Sequence, residues 1–179
     1  KLRNCAAEPE INDLILFLKK LGCKIKQIGK RSINVLGVNE LKSTTHSVIF
    51  DRIETGTYII AAALTKGRLK IKNINPKIMS TEIRLLQKMG VDIIKKKNYI
   101  IASRSKKLKG LNIVTKPYPG FPTDLQAQIM VLLCKANKKS FIKEDIFENR
   151  FMHVAELNRM GAEISTNGNK AVVTGNTEF

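Results

Sequence analysis

A unit that must repeat restricts the folds open to a chain more than any single motif does, and one segment recurs three times here. Leu18-Lys19-Lys20-Leu21-Gly22-Cys23-Lys24-Ile25 is matched by Leu86-Gln87-Lys88-Met89-Gly90-Val91-Asp92-Ile93. Leu157-Asn158-Arg159-Met160-Gly161-Ala162-Glu163-Ile164 is a third copy. The glycines of successive copies, at positions 22, 90 and 161, stand 68 and then 71 residues apart. A helical pattern precedes each glycine, and two short alternating apolar segments follow it.

In the first copy Ile11, Leu14, Ile15, Leu18 and Leu21 fall at three- and four-residue spacing, which places them on one helix face. Pro9 suits the first helical turn, where its missing N–H costs nothing. Gly22 suits the position just past the helix end, where left-handed backbone is cheap only for glycine. Ile25 and Ile28, then Ile33 and Val35, read as a pair of strands. The other half of the unit recurs as well. An extended run from Ser47 to Phe50 leads to Asp51, an apolar helix from Ile53 to Leu64 and a strand from Leu69 to Ile74. Later, Leu111 to Thr115 leads through a Pro-rich loop to Asp124, a helix from Leu125 to Cys134 and a strand near Phe141 to Ile146. Tyr99 to Ala102 and Ala171 to Val173 close the second and third copies.

The unit is therefore strand, helix, strand, helix, strand, strand, and two helices on one mixed sheet give an α/β or α+β layer. The chain reads as a half unit, one full unit and another nearly full one. The Lys95 to Lys97 run between strands reads as a solvated turn.

The formal net charge of +17 raises the question of nucleic acid, since clustered Lys and Arg neutralise phosphates. Two observations count against it. The 24 Lys outnumber the 8 Arg and are scattered along the chain, while Trp is absent and Tyr numbers only three. Stacking platforms and Arg forks are thus poorly supplied. No apolar run approaches the roughly 20 residues that span a bilayer, so no membrane role is expected. Cys5, Cys23 and Cys134 lack metal-ligand spacing and sit among apolar residues, which suits small buried thiols in a reducing cytoplasm. The first residue is Lys1, with no signal-peptide pattern after it, so the visible N-terminus reads as a cut, processed or partial end.

Four stretches carry more specific information. They are Glu8-Pro9-Glu10-Ile11 with Asn12-Asp13-Leu14, then Asp51-Arg52-Ile53-Glu54-Thr55-Gly56-Thr57, then Phe121-Pro122-Thr123-Asp124-Leu125-Gln126-Ala127-Gln128. The last is Ile146-Phe147-Glu148-Asn149-Arg150-Phe151-Met152-His153-Val154. In this order and spacing they resemble the UDP-N-acetylglucosamine 1-carboxyvinyltransferase family. The resemblance runs through almost the whole chain, which covers less than half of a family member.

The resemblance implies two similar domains, each built from three such repeats as an inside-out α/β barrel with helices inside and sheets outside. Residues 1 to 50 would be the C-terminal part of one domain, and 51 to 179 the larger part of the second. It implies the transfer of enolpyruvyl from phosphoenolpyruvate to the 3-hydroxyl of UDP-N-acetylglucosamine, with release of phosphate, in the cytoplasm, as the first committed step of peptidoglycan synthesis. The sibling transferase acting on shikimate 3-phosphate, and a non-catalytic remnant, are the alternatives. The scheme needs no cofactor and no metal.

By the same resemblance Asp124 matches an active-site aspartate that contacts the acceptor hydroxyl and accepts its proton. Read from the residues alone, Asp124 would be a helix N-cap, although Thr123 could cap instead and leave Asp124 free. Asp51 holds the equivalent repeat position and reads as structural. Arg150 matches an arginine facing the anionic substrate, a role its planar fork suits, and reads equally as a salt-bridge partner of Glu148 or Glu156. Ile146 matches a position contacting the UDP-sugar, or alone the end of a buried strand. His153 reads as a packed or capping imidazole with no catalytic role.

The family's acid cysteine lies on a glycine-rich loop that has no counterpart here, and none of Cys5, Cys23 or Cys134 replaces it. Its lysine-asparagine pair and several anion-binding arginines are also missing. The 179 residues alone are therefore expected to be inactive.

Overall fold

All three repeat glycines end helices in the left-handed region that their sequence position predicts. Gly22, Gly90 and Gly161 have φ of 104°, 101° and 99°. In the first and third copies the next N–H reaches back to close the helix, Cys23 to the Leu18 carbonyl and Ala162 to that of Leu157, both at 3.0 Å. The computed structural model describes residues 1–104 and 107–179.

The chain divides into two compact units. One holds residues 1–50 with 117–119, the other 51–116 with 120–179. In the first unit, β1 (Leu2–Arg3) precedes α1 (Pro9–Lys20), β2 (Lys24–Gly29) and β3 (Ser32–Leu36). The sheet order is β1-β3-β2, all antiparallel. Pro9 sits in the first turn of α1 as predicted, and Asp13 pairs with His46 at 3.1 Å. Pro9, Ile25 and Ile33 are the buried apolar residues here, while Leu14 of the predicted helix face is 49% exposed. One helix beside a three-stranded sheet has too few neighbours within this unit to cover both elements.

The larger unit opens with α2 (Arg52–Leu64), β4 (Arg68–Lys72), α3 (Ser80–Met89), β5 (Val91–Lys95) and β6 (Tyr99–Arg104). It continues with β7 (Asn112–Val114), α4 (Gln126–Cys134), β8 (Ser140–Lys143), α5 (His153–Arg159), β9 (Ile164–Asn167) and β10 (Lys170–Val173). The sheets run β4-β6-β5 and β7-β8-β10-β9. Each repeats the order of the first unit's sheet, so β1, β4 and β8 are equivalent strands. The pairing that makes Leu2–Arg3 a strand is non-local, and two residues carry no periodicity by which it could be read.

Two expectations need correction. Residues 47–50 form no strand, so the copy starting at Asp51 lacks the opening strand that β7 supplies to the last copy. The complete unit is therefore residues 112–173. The segment expected as a strand to Ile146 stops at Lys143, and Glu144 turns the chain away. In that last unit β7 and β8 run parallel, Asn112 opposite Phe141, with α4 as the crossover between them. α4 is apolar nearly all round and buries Ile129, Met130, Leu132, Leu133 and Cys134 completely, as a central helix does.

Candidate active site

The turn that carries Asp124 is buried on every side except at that residue. Phe121, Pro122, Thr123, Leu125 and Gln126 are all buried, and Asp124 alone is exposed. A short 3-10 turn, Thr123–Leu125, precedes α4, so the helix begins two residues after Asp124. Its carboxylate makes no capping hydrogen bond. The contrast with Asp51 is direct. The Asp51 carboxylate accepts from the N–H groups of Ile53 at 2.7 Å and Glu54 at 3.0 Å, capping α2 from its first turn.

The Asp124 carboxylate instead accepts from Nη2 of Arg150 at 2.7 Å. Both side chains remain partly open, 55% for Asp124 and 37% for Arg150. The guanidinium also lies over the Phe147 ring, 5.1 Å from its centroid. Neither Glu148 nor Glu156 is its partner; Glu156 pairs with Arg159 at 2.9 Å. Ile146 is half-buried in the loop that leads to Arg150. The tertiary fold thus brings together Asp124 and Arg150, which the sequence singled out 26 residues apart.

What holds the Asp124 turn was not legible from its own stretch. Gly56 of α2 faces Leu125 so closely that a Cβ there would sit 2.6 Å from a Leu125 methyl, closer than real Cβ contacts come. Thr57 Oγ1 accepts from the Gln128 amide at 3.1 Å. The Asp51–Thr57 motif therefore packs against the Phe121–Gln128 motif, which gives Gly56 a physical reason.

Glu144, overlooked in the sequence, is 2% exposed. One of its oxygens accepts from Thr115 Oγ1 at 2.8 Å and from the N–H groups of Ile146 at 2.9 Å and Phe147 at 3.2 Å. The other accepts from Thr123 Oγ1 at 2.8 Å, which spends the hydroxyl that the sequence offered as a rival cap. A Glu at a strand end carries no periodic signal; only its burial among donors distinguishes it.

His153, which opens α5, has its pKa lowered from 6.5 by burial first and by the nearby Arg150 charge second. A neutral, half-buried imidazole fits the packing role expected of it. Among the described residues no cluster of three or more His, Cys, Asp or Glu could hold a metal ion. No described helix is long and apolar enough to cross a membrane. Cys134 is buried, with its thiol pushed up to about 11 by that burial, and Cys5 and Cys23 are partly exposed free thiols.

The profile of the EPSP synthase (3-phosphoshikimate 1-carboxyvinyltransferase) family matches residues 1–178. The UDP-N-acetylglucosamine 1-carboxyvinyltransferase of Pelagibacter ubique is 65% identical over 178 residues, which are 99% of this chain and 43% of that protein. The protein of the same name from Geotalea uraniireducens is 51% identical over 174 residues, 97% of this chain and 42% of that one. The chain thus spans well under half the length of the curated relatives it matches. Among solved structures, the enolpyruvyl transferase NikO from Streptomyces tendae superposes with a TM-score of 0.86 at 24% identity, over 98% of this chain and 42% of that one. An EPSP synthase from Acinetobacter baumannii gives 0.64 at 20% identity, over 90% and 39%. At those identities the two structures show a shared fold.

Proposed function

The chain belongs to the EPSP synthase (3-phosphoshikimate 1-carboxyvinyltransferase) family, and from that premise we propose that it forms one wall of an enolpyruvyl transferase acting on UDP-N-acetylglucosamine. Its residues 1–50 are the C-terminal part of one repeat domain, and 51–179 the larger part of the second. The observation that carries the acceptor assignment is the 65% identity to a UDP-N-acetylglucosamine 1-carboxyvinyltransferase across nearly the whole chain.

The reaction has two stages. The sugar 3-hydroxyl loses its proton and its oxygen bonds to C2 of phosphoenolpyruvate, while the C2–C3 π pair takes a proton at C3. A proton then leaves C3, the double bond re-forms, and the C2–O bond to phosphate breaks with the electron pair leaving on phosphate. Asp124 accepts the hydroxyl proton in the first stage, a task for an exposed carboxylate free of capping duty. Arg150 orients that carboxylate through the 2.7 Å contact. Its remaining N–H groups, unpaired among the described residues, suit an anionic substrate group. Ile146 offers backbone and apolar surface to the UDP-sugar. The proton donor to C3 is not supplied by any of these residues, so the 179-residue chain by itself is inactive.

Phosphate release from phosphoenolpyruvate tests this reading. The family-length protein carrying this segment should release phosphate with UDP-N-acetylglucosamine and not with shikimate 3-phosphate. The 179-residue chain should release none above a protein-free control. Turnover with shikimate 3-phosphate in place of the UDP-sugar would overturn the acceptor assignment.

A further inference from the structure

We propose that Glu144 is a positioning residue that sets the distance between the proton acceptor and the anion-binding arm of this site; the inference rests on the reading of Asp124 just given. Glu144 never reaches the site surface, since it is 2% exposed. It acts through three chain segments, all of which its carboxylate ties together. Thr115, just after β7, donates to one oxygen, and so do the N–H groups of Ile146 and Phe147. Thr123, the residue before Asp124, donates to the other.

The direction of these bonds is fixed by their neighbours. Thr115 Oγ1 accepts the Asp145 N–H at 3.0 Å and so turns its proton to Glu144. Two backbone N–H groups can only donate. Four donors reach the carboxylate, three on one oxygen and one on the other. Such charge-assisted bonds are roughly twice as strong as neutral ones, and burial keeps water from competing. The Glu144 backbone is itself held, because its N–H donates to the Asn169 carbonyl at 2.8 Å and its carbonyl accepts from the Asn169 amide at 3.1 Å. The strand end therefore presents a fixed carboxylate, and both the Asp124 turn and the Ile146–Arg150 loop take their position from it. A helix cap would have anchored Asp124 directly; the structure anchors Thr123 instead and leaves the Asp124 carboxylate free for Arg150.

The test uses the family-length enzyme carrying this segment, with Asp124→Asn as the reference. Thr123→Val keeps shape and removes the donor to Glu144, and Thr123→Ser restores it. Because misplacing a reacting group by about 1 Å can cost about 10²-fold, kcat of Thr123→Val at saturating substrates should fall about 10- to 100-fold. KM for the UDP-sugar should stay within about threefold, since that surface lies beyond the bond removed. Thr123→Ser should recover most of the lost kcat. Glu144→Gln, which keeps side-chain shape but loses the charge, provides a second measurement should the valine variant fold poorly, and kcat should again fall more than KM rises.

If Asp124→Asn loses turnover while both Thr123→Val and Glu144→Gln keep kcat within about threefold, the positioning role is wrong and the reading of Asp124 stands. Loss in Thr123→Ser equal to that in Thr123→Val would make the effect one of packing and would also overturn the proposal. Wild-type turnover in Asp124→Asn would overturn the underlying reading, and the inference with it.

Discussion

Asp51 and Asp124 occupy the same position in successive repeats, each ahead of an apolar helix, yet their carboxylates face different partners. Asp51 accepts two N–H groups of the helix it begins. Asp124 accepts none from α4 and meets Arg150 instead. The difference lies in how the chain enters the helix. α2 starts at Arg52, directly after its aspartate, whereas a 3-10 turn spans Thr123–Leu125 and delays α4 to Gln126. Inserting that turn moves the aspartate off the cap without moving it off the repeat. A position that caps a helix in one copy is left uncapping in another, where Glu144 accepts from the adjacent Thr123.

The comparison is most exposed to failure in turnover. In the family-length enzyme, Asp124→Asn would remove the proposed proton acceptor while keeping size, so kcat should fall by about 10²- to 10⁴-fold. Asp51→Asn should stay close to wild type, since Asn caps nearly as well as Asp. Equal losses in the two variants, measured at saturating substrates, would abolish the distinction between the two positions.

Thiol labelling sharpens the contrast at the far end of α4. Cys134 is fully buried and its thiol is pushed up to about 11, whereas Cys5 and Cys23 are partly exposed. At pH 8 a group titrating near 11 holds about 10⁻³ of its population as thiolate, so Cys134 should react at least about 10²-fold more slowly than either. Comparable rates under native conditions would mean that α4 is not the closed central helix described above.

Stability should then reverse the ranking of the aspartates. Asp51→Ala removes a cap bonded to two N–H groups and should cost about 1 kcal/mol, a fall in Tm of about 2–4 °C. Asp124→Ala removes one exposed ion pair and should cost less, since such pairs contribute about 0–1 kcal/mol. Thermal unfolding of the two variants side by side decides it, and a larger loss for Asp124→Ala would return that residue to a structural role.

The smallest expected effect is a pH dependence beside the Asp124–Arg150 pair. His153 binds its proton less tightly folded than unfolded, so its contribution is fully present above about 6.5 and declines as pH falls below that value. His153→Gln should flatten this acid-side slope between pH 6.5 and the carboxylate range. An unchanged slope in denaturant titrations at several pH values would show that the imidazole is not held neutral by burial.

Much of this protein was legible before any coordinates, where the signal is local. Gly22, Gly90 and Gly161 announce helix ends because only a residue without Cβ takes φ near 100° cheaply, and all three do so. Pro9 and Asp51 mark helix starts through groups within three residues of themselves. The α/β class and the repeat follow from such marks recurring at fixed intervals. The tertiary structure alone decided what depends on distant partners. Leu2–Arg3 became a strand because β3 was there to pair with it, and residues 47–50 did not because no described strand pairs with them. Asp124 met Arg150 across 26 residues rather than capping its own helix. Glu144 became the anchor of both stretches only when four donors from three segments closed around it. A hydrogen bond within one turn is written in spacing, whereas one between segments exists only after the sheet and crossover helix have brought its two ends together.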